Sequence, residues 1–234
     1  MVREVQQVAW GLGILLLVSC SAEGPLESEG ELQQAATVQT ACEGMTVPPP
    51  APGRYKILQV TAGTDTTIRE AQPSKNFRSE NFCYTQFEAD AAQACLIRFP
   101  IELPATAQIH YAQLGLQLTA ASPTRVLAYS MDKRWTEAGA TWNRYNSRTP
   151  WSTPGAQSDK RWSFCALTAS TGHVTYNLGG AAVAQIQDWV SGRAENSGIG
   201  IFADATSGGR EVSVVAHDAS VDAPVLTLWY TDDP

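Results

Sequence analysis

The sequence has few of the features that mark an enzyme, a metal site or a membrane-spanning protein. It holds only three His, and His110, His173 and His217 have none of the spacings of metal-ligand or catalytic motifs. Adjacent His217 and Asp218 would point to opposite faces of a strand, so they do not predict a dyad. The apolar run at residues 8–18 is too short to span a bilayer. We predict no catalytic residue and no cofactor; a polysaccharide lyase or glycosidase is the less favoured alternative, because carboxylates distant in sequence can meet in a fold.

Residues 1–19 have the composition of an export signal, with Arg3 ahead of the apolar run. Leu17-Val18-Ser19-Cys20 resembles a bacterial lipobox, which implies cleavage before Cys20 and acylation of that residue. An ordinary signal peptide that contains a Cys is the alternative. By the same resemblance, the lack of an Asp after Cys20 implies the outer membrane. We therefore expect an exported protein anchored by lipid at the outer membrane or cell surface, with the membrane as a partner through Cys20.

Residues 20–53 form an acidic tether that ends in a Pro-rich run, and no core can be built from them. The net charge of the chain is −7, and residues 54–234 hold 15 Lys and Arg against 17 Asp and Glu, which is −2. The tether holds five Glu and no Lys or Arg, and Arg3 cancels Glu4, which accounts for the other −5. Most of the acidity belongs to the tether, so it says little about a partner of the domain at 54–234.

Beyond Cys20 the sequence holds four Cys, an even number in a chain expected to meet an oxidising compartment. Three pairings are possible. We favour Cys83 with Cys95, because a hairpin centred on Ala89 would place them opposite each other. Cys42 with Cys165 follows by elimination and would pin the tether to the domain.

Past residue 53 the sequence alternates apolar and polar residues in about nine or ten short segments separated by turns. In HYAQLGLQLT, for example, Leu114, Leu116 and Leu118 share one face. One segment, AAVAQIQDWVSGR, instead has a helical stripe that ends at Gly192. The pattern predicts an all-β fold, an antiparallel β-sandwich with one short helix at its edge.

Five blocks, in order, resemble the DNRLRE domain, or disaggregatase-related repeat: SKNFRSEN, CLIRFPIELPATAQIHYAQLGLQL, RWTEAGATWN, VTYNLGGAAVAQIQDWVSGRAENSGIGIFA and APVLTLWY. The resemblance spans about residues 60–231 and implies a jelly-roll sandwich similar to carbohydrate-binding modules, some of which bind alginate-like acidic polysaccharide. Arg78, Pro100 and Ser197 depart from the family pattern and weaken the transfer of binding detail. The residues that match its structural motif are Arg98, Trp135, Glu137, Thr141, Trp142 and Trp189.

Residues 125–162 hold seven Lys and Arg against three Asp and Glu, and residues 132–162 hold four of the seven Trp. Flat rings and Arg forks suit sugars and their carboxylates. The predicted carbohydrate-binding residues are Arg144, Tyr145, Arg148, Trp151, Lys160, Arg161 and Trp162. The alternative is a solvated basic loop with its Trp residues folded beneath it.

Trp135 and Trp142 are expected to pin a loop to the sandwich, with Glu137 accepting hydrogen bonds from amides of its own turn. A structural calcium ion could use Asp65 or Asp204 with backbone carbonyls, but the sequence holds no dense acidic loop that indicates one. We predict a monomeric surface lipoprotein that binds carbohydrate, with acidic polysaccharide as one candidate and no nucleic acid. A structural or adhesion domain of the envelope, with no sugar site, is the alternative.

Overall fold

The computed structural model describes residues 38–41, 53–120, 123–219 and 221–232, without the side chains of 38–41, 162, 163 and 165. The predicted signal peptide, Cys20 and Cys42 lie outside these residues, so lipidation and the Cys42–Cys165 pairing stay predictions. No helix within the described ranges is long and apolar enough to cross a membrane.

Two β-sheets pack face to face, which confirms the predicted all-β sandwich. The larger sheet consists of β1 (Val38–Ala41), β2 (Lys56–Thr61), β4 (Phe82–Thr85), β6 (Ala107–Ala120), β9 (Gly172–Asn177), β11 (Val212–Val215) and β12 (Val225–Asp232). The smaller sheet has the order β3 (Thr64–Arg69), β5 (Gln93–Arg98), β10 (Ile199–Ala203), β7 (Thr124–Met131), β8 (Lys160–Ala169). β1 and β9 run parallel, and the other paired strands run antiparallel.

The long strand β6 organises the larger sheet. It pairs with β12 and β11 along one edge and with β9 along the other. Leu114, Leu116 and Leu118 all enter the main core between the sheets, as their alternation predicts. Gln113, which alternation places on the opposite face from these Leu residues, is also buried, and it donates to Asn177 Oδ1 at 2.8 Å. Neighbouring residues cover the Gln113 side chain, and its buried amide is satisfied by Asn177 of the adjacent strand β9.

The predicted helix is α1 (Gly180–Val190), and it closes the core between β6 and β8. Ile186 and Trp189 reach the main core, where the indole of Trp189 lies 5.7 Å from the ring of Phe164. Gly192 follows with a φ of +74°, a left-handed conformation that favours glycine. The prediction that the helix stops there is confirmed.

The disulfide Cys83–Cys95 is present, as predicted, although the expected hairpin is not. Across the turn, Gln86 and Gln93 form an isolated bridge, and the chain then separates into β4 of one sheet and β5 of the other. The strands diverge because each joins a different layer. The disulfide therefore links the two sheets through the core.

Candidate functional site

The smaller sheet is covered on its inner face and on part of its outer face. Along β7, Val126 and Ala128 point into the main core, whereas Tyr129 and Met131 point outward. Phe202 of β10 also points outward, and its ring lies 5.9 Å from that of Tyr129 in an edge-to-face contact. A second hydrophobic cluster therefore covers part of the outer face of this sheet.

The loop at residues 132–159 supplies the outer half of that cluster. The indoles of Trp135 and Trp142 are 0% and 8% exposed and pack on the sheet beside Ala140 and Ala156. The prediction that both Trp residues pin the loop is confirmed. A large aromatic ring buries enough apolar area to fix a loop that has few regular backbone pairs of its own.

Hydrogen bonds to backbone carbonyls fasten the start of this loop. Asn76 Nδ2 donates to the carbonyl oxygens of Glu137 and Ala140, each at 2.7 Å. The Arg98 guanidinium donates to the Trp135 carbonyl at 3.0 Å and lies 5.2 Å from the centre of its ring. Asn76 and Arg98 belong to blocks of the sequence resemblance, and both act on the loop rather than on solvent.

Glycine is required where the loop closes over Trp142. Gly155 has a φ of +74°, and a Cβ there would lie 2.5 Å from the indole of Trp142. Its amide donates to the Trp142 carbonyl at 2.7 Å. The backbone therefore packs directly on the ring, which a side chain would prevent.

An open groove of about 630 Å³, here called the outer groove, occupies the part of the sheet that the loop leaves uncovered. Leu127, Tyr129 and Phe202 form its floor. One wall is the turn between β4 and β5, where the Phe87 ring is 51% exposed. Trp142 and Gln157 form the other wall, and Lys160 lies over the floor. The remaining polar lining of the groove is Glu70, Gln86, Glu88, Asp90, Gln93 and Asp204.

Lys160 spans the aromatic floor. Its ammonium lies 4.7 Å from the ring centre of Phe202 and 5.2 Å from that of Tyr129, and it donates to Gln157 Oε1 at 2.7 Å. Burial against these rings lowers the pKa of Lys160 below its ordinary value, because the charged form loses water. The cation is thus held close to the floor and turned toward Gln157.

The other residues predicted to bind sugar are spread over the loop. Trp151 is only 4% exposed and donates from Nε1 to the Thr141 carbonyl at 2.8 Å, so the expectation that it presents a free face is wrong. Tyr145 is half-buried, with its ring 5.7 Å from Trp151. The loop folds its large rings inward because the outer sheet face offers them apolar contact.

The predicted basic residues do not converge on one place. Arg144 and Arg148 are exposed, and Arg144 donates to the Ser147 carbonyl at 3.2 Å. Arg161 lies 3.7 Å from the Asp132 carboxylate, in a different pocket from Arg144. Only Lys160 lines the outer groove, and the side chain of Trp162 lies outside the described part. Carbohydrate contact by these residues stays a prediction.

A histidine enclosed by carboxylates links three segments at the rim of the sandwich. His217 Nδ1 lies 3.2 Å from Asp65 Oδ2, and its Nε2 lies 3.4 Å from Glu137 and 2.9 Å from Asp218. His217 lies in the turn after β11, so the strand geometry expected for it does not apply. Glu137 was expected to accept hydrogen bonds from amides of its own turn. It instead accepts one at 3.3 Å from the amide of Asp65, which lies on β3.

The two Asp residues considered for calcium already have protein partners. Asp65 is buried, which raises the pKa of its carboxyl, and it accepts a hydrogen bond from the His217 amide. Asp204 accepts a hydrogen bond from the Thr206 amide at 2.8 Å and forms an ion pair with Arg125. Both contacts lower the pKa of the Asp204 carboxyl, and the hydrogen bonds from Thr206 are the larger cause. Among the described residues, no group of three or more His, Cys, Asp and Glu could hold a metal ion. The absence of a cofactor stays a prediction.

The outer groove could have been foreseen only in part from the sequence. Alternation in RVLAYSM and GIGIFAD places Tyr129 and Phe202 on faces opposite the core residues of their strands. Aromatic residues on the outward face of two strands are the available signal. Nothing local indicates that the two strands are neighbours or that Phe87 lies beside them, because these contacts cross more than 40 residues of chain.

An antiparallel sandwich with an open, aromatic-floored groove on one sheet has the architecture of a ligand-binding module. The chain belongs to carbohydrate-binding module family 96, whose family model matches residues 56–178, more than half of the sequence. The match runs from β2 through β9 and includes the loop at 132–159 and the turn between β4 and β5. No curated protein matches the chain significantly.

Proposed function

We propose that this chain is a surface lipoprotein whose sandwich binds carbohydrate in the outer groove without catalysis. The observation that carries the proposal is the groove itself, which combines the exposed Phe87 ring, the half-buried Tyr129 ring and a polar rim in a carbohydrate-binding module family. The resemblance to the DNRLRE domain supports the same interpretation.

The chemistry of the groove suits a sugar chain. Pyranose rings have apolar C–H faces that pack on aromatic rings, while their hydroxyls need donors and acceptors at the edges. Tyr129 and Phe87 supply ring faces on the floor and on one wall. Gln86, Gln93 and Gln157 supply amides around them. The groove is open, which fits a segment of a polymer better than a small enclosed ligand.

The hydrogen-bond partners of two groove carboxylates favour a role in ligand binding over a role in proton transfer. Asp204 is held ionised by Thr206 and Arg125, so it is a poor general acid. Glu70 accepts from the Ala92 amide at 3.2 Å. Release of reducing ends or unsaturated uronates by the purified protein would favour a hydrolase or a lyase instead.

Affinity electrophoresis against a panel of soluble polysaccharides tests the binding proposal. We expect Phe87→Ala and Tyr129→Ala each to weaken binding by about tenfold, since a buried aromatic face is worth roughly 1–2 kcal/mol. Phe82→Ala is the matched control, because Phe82 is 40% exposed but lies outside the groove. Retardation that both groove variants retain in full would refute this location.

Acidic polysaccharide on the exposed basic loop is the second candidate, and the exposure of Arg144 and Arg148 favours it. Arg side chains can hold uronate carboxylates through paired hydrogen bonds. In that case Arg144→Ala/Arg148→Ala would abolish retardation by a polyuronate while Tyr129→Ala would leave it unchanged. A panel with no retarding glycan would instead favour the structural or adhesion role.

Lipid anchoring at Cys20 and residence at the outer membrane or cell surface are also proposed. They rest on the lipobox resemblance at residues 17–20 and on the acidic tether. Metabolic labelling with a radioactive fatty acid should mark the wild-type protein and leave Cys20→Ala unlabelled. Equal labelling of the two proteins would rule out this anchor.

A further inference from the structure

The outer face of the larger sheet is deeply buried at its centre. Tyr111 and Gln113 of β6 and Asn177 of β9 alternate with residues that enter the main core, so their side chains point to the opposite face. They are nevertheless only 4%, 7% and 9% exposed. Strand neighbours shield the flanks of an outward side chain, but its tip is covered only where a further segment lies on the sheet. The burial of three such side chains therefore indicates a segment on top of this face.

The buried part of the face has a clear limit. Tyr111 packs edge-to-face against Trp229 of β12, with ring centres 5.1 Å apart, and Trp229 is half-buried. On β2, the next strand outward, Ile57 is 58% exposed and Gln59 is exposed as well. The cover thus lies over β9 and β6 and thins out toward β2.

Residues 42–52 have to pass from one edge of this sheet to the other. β1 pairs with β9 at one edge and ends at Ala41, whereas β2 pairs with β12 at the opposite edge. Four inter-strand spacings separate β1 from β2, or about 19 Å. Eleven residues in an extended Pro-rich conformation reach about 34 Å, which is enough. Because the main core fills the inner face, the connection runs over the outer face or around the end of the sandwich.

The chain just before β2 favours the path over the face. The ring of Tyr55 lies 4.8 Å from the ring of His110, which shares a hydrogen bond of 2.9 Å with Thr231 Oγ1. His110 belongs to β6, and β12 lies between β6 and β2. Tyr55 therefore reaches back across β12, toward the buried centre of the face, before the chain enters β2.

We infer that the outer face of the larger sheet is a docking surface for residues 42–52 of the same chain. The run Val47-Pro48-Pro49-Pro50-Ala51-Pro52 suits this surface, because Pro-rich chains adopt an extended helix that aromatic rings such as those of Tyr111 and Trp229 recognise. Pro has no amide N–H, so such a run lies on a sheet without leaving its own donors unpaired. The segment holds a single charged residue, Glu43.

The docked segment has a consequence for ligand binding. It occupies the outer face of the larger sheet and leaves the outer groove, which lies on the smaller sheet, open to a ligand. The tether then joins the sandwich on the side opposite the groove. This consequence rests on the proposed function of the groove, whereas the docking itself does not.

Nitration by tetranitromethane, mapped by mass spectrometry on the full chain, tests the docking. Tyr111 should resist nitration in the wild-type protein. Replacement of residues 48–52 by Gly-Ser-Gly-Ser-Gly keeps the length of the segment and removes its stiffness and its apolar rings, so nitration of Tyr111 should become about tenfold faster. The same replacement at residues 25–29, earlier in the tether, is the matched control and should leave the rate unchanged. Tyr176, which is buried in the main core, should stay unreactive in all three proteins and reports that they are folded.

A reciprocal measurement covers the case in which the replaced chain does not fold. Tyr111→Ala should make amide hydrogen exchange of residues 43–47 about tenfold faster, and Phe82→Ala should leave it unchanged. Unchanged exchange in Tyr111→Ala would overturn the inference, as would equal nitration of Tyr111 in folded wild-type and replaced chains. Protection of Tyr111 that is lost on dilution would also overturn it, since a second copy would then cover the face. No readout involves carbohydrate, so failure here is distinct from failure of the proposed function.

Discussion

Removal of the Cys83–Cys95 bridge should cost the sandwich about 3 kcal/mol of unfolding free energy. The two residues are 12 apart in sequence, and in the chain-entropy description a closed loop of this size constrains the unfolded state by about that amount. The bridge joins β4 of one sheet to β5 of the other, so its loss also removes a covalent link between the layers. Cys83→Ala/Cys95→Ala deletes two buried sulfur atoms as well, which should add roughly 1 kcal/mol.

Equilibrium unfolding in urea, followed by tryptophan fluorescence, measures this loss. With a slope of roughly 2 kcal/mol per molar urea, the midpoint should fall by about 1.5 M or more. The variant Cys42→Ala/Cys165→Ala keeps the Cys83 and Cys95 sulfur atoms, and comparing it before and after reduction with dithiothreitol is the control that isolates closure of this loop. A loss below about 1 kcal/mol in both samples would refute the reasoning, because the unfolded chain would then gain little freedom when the loop opens.

Two further changes test the contacts at the loop and at the rim. Gly155→Ala should destabilise the domain by about 2–4 kcal/mol in urea, because the new Cβ meets Trp142 and the φ is positive. Gly208→Ala, with a φ of +65° and open space, should cost only about 1 kcal/mol; equal losses would exclude the contact with Trp142. Burial raises the pKa of Asp65, so its contribution to stability is greatest below its unfolded pKa and falls as the pH rises through its native one. The thermal midpoint of Asp65→Asn, relative to wild type, should therefore rise between about pH 4 and pH 7; a constant difference would contradict this sign.

Local patterns were sufficient to predict the layers of the fold. Alternation along β6 placed Leu114, Leu116 and Leu118 in the core, and the helical stripe before Gly192 located α1. Both patterns follow from the geometry of a single element, which depends on neighbouring residues only. The pairing of Cys83 with Cys95 was also predicted correctly, because a turn between them brings them together whichever sheets their strands join.

Local patterns could not decide which way a loop side chain faces. Trp135, Trp142 and Trp151 lie in one aromatic and basic segment, and the sequence made Trp151 a candidate for sugar contact, with burial beneath the loop as the alternative. All three rings are buried, because the outer face of the smaller sheet is apolar and the loop covers it. That face is assembled from β3, β5, β7 and β10, whose order in the sheet is not their order in the chain.

By itself, the sequence determined an antiparallel sandwich, a helix at its edge and a Trp-rich loop packed upon it, since each depends on periodicity or on a local motif. The tertiary structure alone decided which side chains form the outer groove, the site proposed for carbohydrate. The outer groove joins Phe87, Tyr129 and Lys160 with carboxylates between residues 70 and 204, which approach one another only when the strands pair. The charge of the groove is decided in the same way, because its four carboxylates lie outside the basic segment at 125–162 and join Lys160 only when the fold brings these side chains together.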